Sequence, residues 1–259
     1  MDTKFWGPSG WKFLHSLTFT YDPGRQRASM DAWLATLPYV LPCKFCRASL
    51  TDYFRADDPS AALESQDDLA RFMWRIHSRV NEKLRSQGQT IPKDPTFKEI
   101  EQHYLLATTR QPKDCESFPG WDFLFSVAYN HPLGGQGKPM PDAPMPKDQS
   151  DEELNKWNML PAARRFKHWR RFWELLPAVM PSAWSSAWTN TGEKPCLQNK
   201  RSAVAWLWRL RCGFSHGADP YRSVCNRLAA HASGCGSSSR ARTCRKQRSK
   251  AKTKRTGRQ

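Results

Sequence analysis

The chemistry in this chain gathers around Cys43-Lys44-Phe45-Cys46. Two cysteines three positions apart can cycle between dithiol and disulfide, hold a metal, or do neither, so the pair alone settles nothing. Its surroundings narrow the choice. Trp11 and His15 lie four residues apart upstream, and Trp74, His77 and Asn81 follow downstream at spacings of three and four. Side chains at that spacing share one face of a helix. Indole, imidazole and carboxamide groups around a dithiol make a surface suited to a flat heteroaromatic cofactor.

A dithiol reacts through its thiolate, and a free thiol is mostly protonated at neutral pH. Pro42 is placed to open a helix, which puts Cys43 in or next to its first turn. There the exposed N–H groups and the helix dipole favour the thiolate. Lys44 and Arg47 add positive charge, and Cys46 is one turn on, within reach of a disulfide.

Three readings compete. Zinc needs four ligands, and the first half holds no second C-x-x-C or H-x-x-H at finger-like spacing. Thioredoxin-like chemistry needs β-α-β patterning, and none is present. A flavin-linked dithiol oxidase needs aromatic and imidazole surfaces, which Trp11, His15, Trp74, His77 and Asn81 supply.

The elements that must position these groups read as helices. Residues 10–19 are aromatic-rich without strand alternation. Residues 31–37 read as a short helix ended by Pro38, and the next helix opens at Pro42. The clearest helix runs from Asp67 to Leu84. Leu69, Phe72, Met73, Ile76, Val80 and Leu84 form its core-facing stripe, and Gly88 and Pro92 close it. Residues 130–149 are rich in Pro and Gly and read as a linker. Helical patterning resumes near Asp151, and residues 234–239 read as a flexible hinge.

The second half echoes the first. Gly10-Trp11-Lys12-Phe13-Leu14 returns as Gly120-Trp121-Asp122-Phe123-Leu124. Leu37-Pro38-x-Val40-x-Pro42 returns as Leu176-Pro177-x-Val179-x-Pro181, and Trp74-Arg75 returns as Trp208-Arg209. All three echoes keep their order. The chemistry does not return: Ser182 and Ser185 stand for Cys43 and Cys46, Phe125 for His15, and Arg211 for His77. The expectation is a degenerate copy kept for structure and free of flavin. Convergent use of Trp, Leu and Pro in two helical domains is the alternative.

Composition sets the bounds. At 259 residues and 39% hydrophobic, the chain can bury one large core or two modest ones. No apolar run is long enough to span a bilayer, and the start Met1-Asp2-Thr3-Lys4-Phe5-Trp6 lacks the pattern of a signal peptide. The expected location is cytoplasmic, where structural disulfides are rare and eight cysteines call for a redox or metal role. Of the net charge of +17, ten positive charges lie between Arg240 and Arg258 with no acid among them. Such a tail contacts nucleic acid or anionic surfaces, or serves only to solubilise.

The first half resembles the Erv/ALR flavin-linked sulfhydryl oxidases over residues 5–104. The resemblance is strongest at Trp11-x-x-x-His15, Pro42-Cys43-x-x-Cys46 and His77-x-x-x-Asn81. It implies a helical bundle holding FAD, so the expected fold is all-α: that bundle, then the second, degenerate helical domain and the basic disordered tail read above. The corresponding boundaries are 1–112, 113–233 and 234–259. It implies oxidation of thiol-containing protein substrates, with O2 reduced to H2O2. Cys46 would meet the flavin and Cys43 would exchange with incoming thiols. Gly7, Trp11, His15, Tyr21, Trp74, His77, Asn81, Lys83 and Lys93 would contact FAD, and no metal is implied.

The sequence departs from the family pattern at Gly7-Pro8, where Gly-Arg is common, and at His77-Ser78, where His-Asn is usual. Trp74 stands where many members carry a structural cysteine, which leaves Cys115 without an obvious partner. The long C-terminal half looks like the branch found in large DNA viruses, which extends the expected location to host cytoplasm or virion. A homodimer is expected, with an internal pseudo-dimer as the alternative. The competing function is a basic zinc- or nucleic-acid-binding protein using Cys212, Cys225, Cys235 and Cys244 with His216 and His231.

Overall fold

The computed structural model describes residues 1–109, 118–134, 138–141, 143–214 and 218–232. Over these residues the chain is helical and contains no strand. The first half holds α1 (Thr3–Thr18), α2 (Pro23–Leu34), α3 (Leu37–Val40), α4 (Lys44–Ala56), α5 (Gln66–Ser86) and α6 (Phe97–Thr109). The second holds α7 (Trp121–Tyr129), α8 (Asp151–Lys156), α9 (Ala162–Val179), α10 (Ser182–Asn190), α11 (Lys200–Phe214) and α12 (Tyr221–His231). Among the described residues no helix is long and apolar enough to cross a membrane.

Local chemistry explains the boundaries. The Asp2 side chain accepts from the Lys4 amide and starts α1. Ser65 accepts from the Asp68 amide and starts α5, and Asp67 and Asp68 in its first turn complement the helix dipole. Of the expected stripe on α5, Leu69, Phe72, Met73 and Ile76 are buried, while Val80 and Leu84 are half-buried. Two expectations are corrected. The helix expected from residue 31 begins at Pro23, capped by Asp22. Pro38 does not end it but lies in the first turn of α3, where a missing N–H costs nothing. The hinge and basic tail lie outside the described residues apart from their approach at Ala232.

The two halves do not bury separate cores. One continuous hydrophobic cluster runs from Met1 to Leu228 and takes in Phe13, Trp33, Phe72, Phe123, Phe172 and Trp206. Helices of the two halves pack on each other: α1 on α7, whose sequences echo, and α2 on α9. The contacts are reciprocal. A side chain at Gly10 would meet the Phe123 ring at 3.3 Å, and one at Gly120 would meet the Phe13 ring at 2.9 Å. Phe13 and Phe123 approach each other at 6.2 Å between ring centroids. Trp33 and Phe172, which occupy matching places in α2 and α9, stack at 5.3 Å. Reciprocal contacts of this kind are those of a two-fold interface. Within each half, α1 packs on α5 and α6, and α7 packs on α11 and α12.

Candidate functional site

Cys43 caps the N-terminus of α4 with extended backbone (φ −121°, ψ 126°), and α4 starts at Lys44. Cys43 is fully buried, whereas Cys46 is partly exposed. α4 runs beside α5. The Lys83 ammonium donates to Ser49 Oγ, and the Tyr53 hydroxyl donates to the Arg79 carbonyl at 3.4 Å. The two helices are therefore antiparallel here, with Cys46 one turn beyond Ser49 toward the C-terminal end of α5. Burial pushes the Tyr53 phenol above its ordinary range, and its further influences include a contribution from Cys46.

Farther back along α5 lies a ring cluster. Trp11 stacks flat on His77, with centroids 3.9 Å apart and 11° between planes. His15 Nε2 lies 3.0 Å from His77 Nδ1, so one ring donates to the other. Tyr104 closes the cluster from α6, 5.3 Å from His15, and itself stacks on Phe19. His15 Nδ1 is buried and has no hydrogen-bond partner among the described residues. Whichever tautomer is assigned, that atom is an unused polar group in an aromatic wall. The cluster and the Lys83–Ser49 contact are separated by about 9 Å along α5, from its 1.5 Å rise per residue.

Electrostatics in the cluster follow from burial. Desolvation pulls His15 down to about 3, helped by His77, and pulls His77 down to about 4 against the opposing pull of Asp94. Both imidazoles are therefore neutral in the folded protein and each takes up a proton near pH 6.5 when unfolded. Their contribution to stability is complete above pH 6.5. It falls as acid titrates the unfolded chain, by about 1.4 kcal/mol per pH unit for each ring, until the folded values near 4 and 3 are reached. Urea midpoints should thus drop between pH 7 and pH 5, and less steeply in His77→Gln than in the wild type. Equal pH dependence in the two proteins would remove this role for His77.

The remaining expected site residues spread out. Asn81 donates to Asp94 at 2.6 Å, beside an Asp94–Arg85 ion pair of 2.7 Å. Burial raises Asp94, but hydrogen bonds from Arg85 and Asn81 outweigh it and hold the carboxyl below its ordinary range. Trp74 turns its indole N–H to the Pro95 carbonyl at 3.0 Å and packs edge-on to Phe97. Tyr21 is buried and donates to the Leu63 carbonyl at 3.0 Å. Lys93 is exposed, and Gly7 lies on α1 with nothing within 4 Å of where a Cβ would be.

The structure thus brings Trp11, His15 and His77 into one cluster, with Lys83 beside the helix that starts at Cys43. Sequence reasoning missed Tyr104, Asp94 and Ser49. The 3-and-4 spacing of Phe97, Ile100 and Tyr104 was a usable signal for an aromatic face on α6; the other two carry none.

The second half covers the far face of α4. Asn155 donates to the Pro38 carbonyl at 2.9 Å and to Thr51 Oγ1 at 3.2 Å. Lys156 pairs with Asp52 at 2.7 Å, and Arg55 with Glu152 at 2.7 Å. At the positions echoing the ring cluster, Arg211 lies over Trp121 at 5.8 Å and pairs with Asp219 at 3.6 Å. For the competing metal reading, no trio of His, Cys, Asp or Glu among the described residues is placed to share an ion. Cys115, Cys235, Cys244 and His216 lie outside the described residues.

Residues 8–102, which carry both the C-x-x-C and the Trp/His cluster, match the model of the Erv1/Alr family. Over 87 residues the chain is 32% identical to the mitochondrial FAD-linked sulfhydryl oxidase ERV1 of Saccharomyces cerevisiae, covering 32% of this chain and 45% of the yeast protein. It is 29% identical over 87 residues to the putative FAD-linked sulfhydryl oxidase 096R of Invertebrate iridescent virus 3, covering 59% of that protein. The chain thus spans about half the length of the curated relatives it matches. No solved structure matches it significantly.

Proposed function

We propose that the chain is an FAD-dependent thiol oxidase that forms disulfides in protein substrates and passes the electrons to O2, giving H2O2. The observation that carries this reading is the flat Trp11–His77 stack beside a His15 Nδ1 without a hydrogen-bond partner among the described residues, where α5 carries His77 and meets the helix of Cys43 and Cys46 through Lys83–Ser49 and Tyr53–Arg79. These groups fit a dinucleotide with a heteroaromatic ring: the indole and imidazole faces would hold a ring, and His15 Nδ1 would meet a polar edge. Asn81 and Lys83 would supply further polar contacts. When bound, FAD supplies the two-electron acceptor that reoxidises the dithiol and hands electrons to O2.

The residues of the chain handle the thiols. A substrate thiolate attacks the Cys43–Cys46 disulfide, breaking the S–S bond and forming a mixed disulfide with Cys43. A second substrate thiolate releases the product disulfide and leaves two reduced cysteines. Cys43 gains from its capping position, where helix N–H groups favour the thiolate. Its complete burial requires local movement before a bulky substrate reaches it. The purified protein is expected to be yellow and to consume oxygen with dithiothreitol, releasing peroxide. A protein that neither takes up FAD nor consumes oxygen with thiols would overturn the proposal.

We also read the second half as a degenerate copy that occupies a partner's place. The reciprocal Gly10/Phe123 and Gly120/Phe13 contacts support this. One FAD per chain is expected, since Phe125 and Arg211 replace His15 and His77 and Arg211 is engaged with Trp121 and Asp219. The viral relative supports a viral origin for the chain.

The tail cysteines are proposed carriers between protein substrates and the buried pair. The Asp2 amide donates to the His231 carbonyl at 2.9 Å, and the Met1 nitrogen lies 3.4 Å from the Pro42 carbonyl. α12 therefore ends close to the start of α4, and Cys235 follows His231 by only four residues, a reach of about 13 Å when extended. Truncation after His231 should leave dithiothreitol oxidation intact and slow oxidation of a reduced protein. Unchanged rates on both substrates would remove the carrier role.

A further inference from the structure

We propose that the second half sets the reduction potential of the Cys43–Cys46 pair by holding the Arg47 guanidinium, through Asn158, at the N-terminal end of α4. The inference rests on the dithiol reading above.

Arg47 follows Cys43 by one turn, and its amide donates to the Cys43 carbonyl at 3.0 Å. It is 4% exposed. Its guanidinium folds back under the residues that lead into Cys43: one terminal nitrogen donates to the Leu41 carbonyl at 2.9 Å and the other to Asn158 Oδ1 at 2.6 Å. Asn158 is held in turn. Its φ of 57° lies in the left-handed region, alone in this among the described non-glycine residues. Its side-chain amide donates to the Lys138 carbonyl at 2.8 Å, which leaves Oδ1 facing Arg47. The same Lys138 carbonyl accepts from the Lys44 ammonium at 3.2 Å, with the Pro139 carbonyl at 3.3 Å. The start of α4 and residues 138, 139 and 158 therefore form one knot, with both cations of the first turn drawn into it.

A second guanidinium lies behind. Arg165 on α9 donates to the Asn130 carbonyl at 3.2 Å, and its Nε is buried without a hydrogen-bond partner. Arg164 beside it pairs with Asp151, whereas Arg165 pairs with no carboxylate among the described residues. Burial, then the charge of Arg47, pulls Arg165 down to about 9, so the two cations feel each other. Two like charges in a protein interior cost stability that apolar side chains would not. The other charges on this face of α4 are matched: Lys156 with Asp52, Arg55 with Glu152.

The consequence for the dithiol follows from charge balance. Reduction of the disulfide takes two electrons and two protons and gives two thiols, one of which ionises readily. Positive potential at the cap of α4 stabilises that thiolate and does nothing for the uncharged disulfide. The reduced form is favoured and the pair becomes a stronger oxidant. Asn158 fixes Arg47 with a neutral oxygen; a carboxylate there would cancel the charge.

The test uses the full chain as wild type, Asn158→Asp, Arg165→Gln and Arg165→Lys. Each is equilibrated in mixtures of reduced and oxidised glutathione, and the free thiols are trapped by alkylation and counted by mass. Asp tolerates the left-handed conformation as Asn does, so the first substitution is close to isosteric. Asn158→Asp and Arg165→Gln should each favour the disulfide about tenfold, a potential lower by about 30 mV for this two-electron couple. Arg165→Lys should return to near the wild-type value. Purely structural roles would change thermal stability and leave the glutathione equilibrium in place. Equilibria within about twofold of wild type in both charge variants overturn the inference; if Asn158→Asp does not fold, Arg165→Gln decides. Should those equilibria stay put while the wild type binds FAD and oxidises thiols, the inference fails and the oxidase reading stands. Should the wild type do neither, the oxidase reading fails whatever the glutathione equilibria show.

Discussion

Cys43→Ser and Cys46→Ser should each reduce thiol-dependent oxygen consumption to background while the protein keeps its yellow colour. A serine hydroxyl does not ionise at neutral pH and cannot cycle with a disulfide, so either substitution breaks the relay at a different step. Neither cysteine belongs to the Trp11–His15–His77 cluster, so cofactor retention should survive. The structure adds an order of reactivity. Cys43 is fully buried and Cys46 partly exposed, so a small alkylating reagent acting on the reduced native protein should modify Cys46 first. Near-normal turnover in either serine variant would place the working pair elsewhere.

Trp33→Ala should destabilise the whole chain in one transition. Trp33 is 1% exposed, packs edge-on to Phe13 from α1 and stacks on Phe172 from α9. Removing a buried indole of this kind costs about 3–5 kcal/mol, through lost contacts and the cavity left behind. Because the cluster around it takes residues from both halves, the loss cannot be confined to one of them. Urea unfolding followed by far-UV circular dichroism and by tryptophan fluorescence should give coincident curves, with the midpoint shifted down. Two separated transitions would show that the halves fold on their own despite their shared core.

Much of the helical frame was legible because its signals are local. On α5 the buried stripe and the turn at Gly88 with φ 78° lie in a short stretch of chain. The Trp11, His15 and His77 cluster was legible for the same reason: each helix presents its groups at helical spacing, and only the pairing of α1 with α5 had to be supplied. Pro38 misled because proline ends a helix from inside yet fits the first turn of a new one, and the residue type is the same in both cases. The Lys83–Ser49 and Asn81–Asp94 contacts were not legible, since polar partners across a helix pair leave no periodic trace. The cover over α4 was hidden for a further reason. It is built from backbone carbonyls at Lys138 and Pro139, within a segment whose composition reads only as linker, and from one left-handed asparagine, Asn158, beyond it.

The seam between α1 and α7 has a kinetic and genetic side. Two separate chains meeting through such reciprocal contacts would come apart on dilution, and their stability would depend on how much protein is present. Here both faces belong to one polypeptide, so the association is intramolecular and holds at any concentration. A substitution in a symmetric pair of chains is felt twice at the axis, whereas Lys12 and Asp122, at matching positions of the two echoes, have taken opposite charges. Each side of the seam is free to change alone, which lets the side without a C-x-x-C pair become a dedicated support for the side that has one.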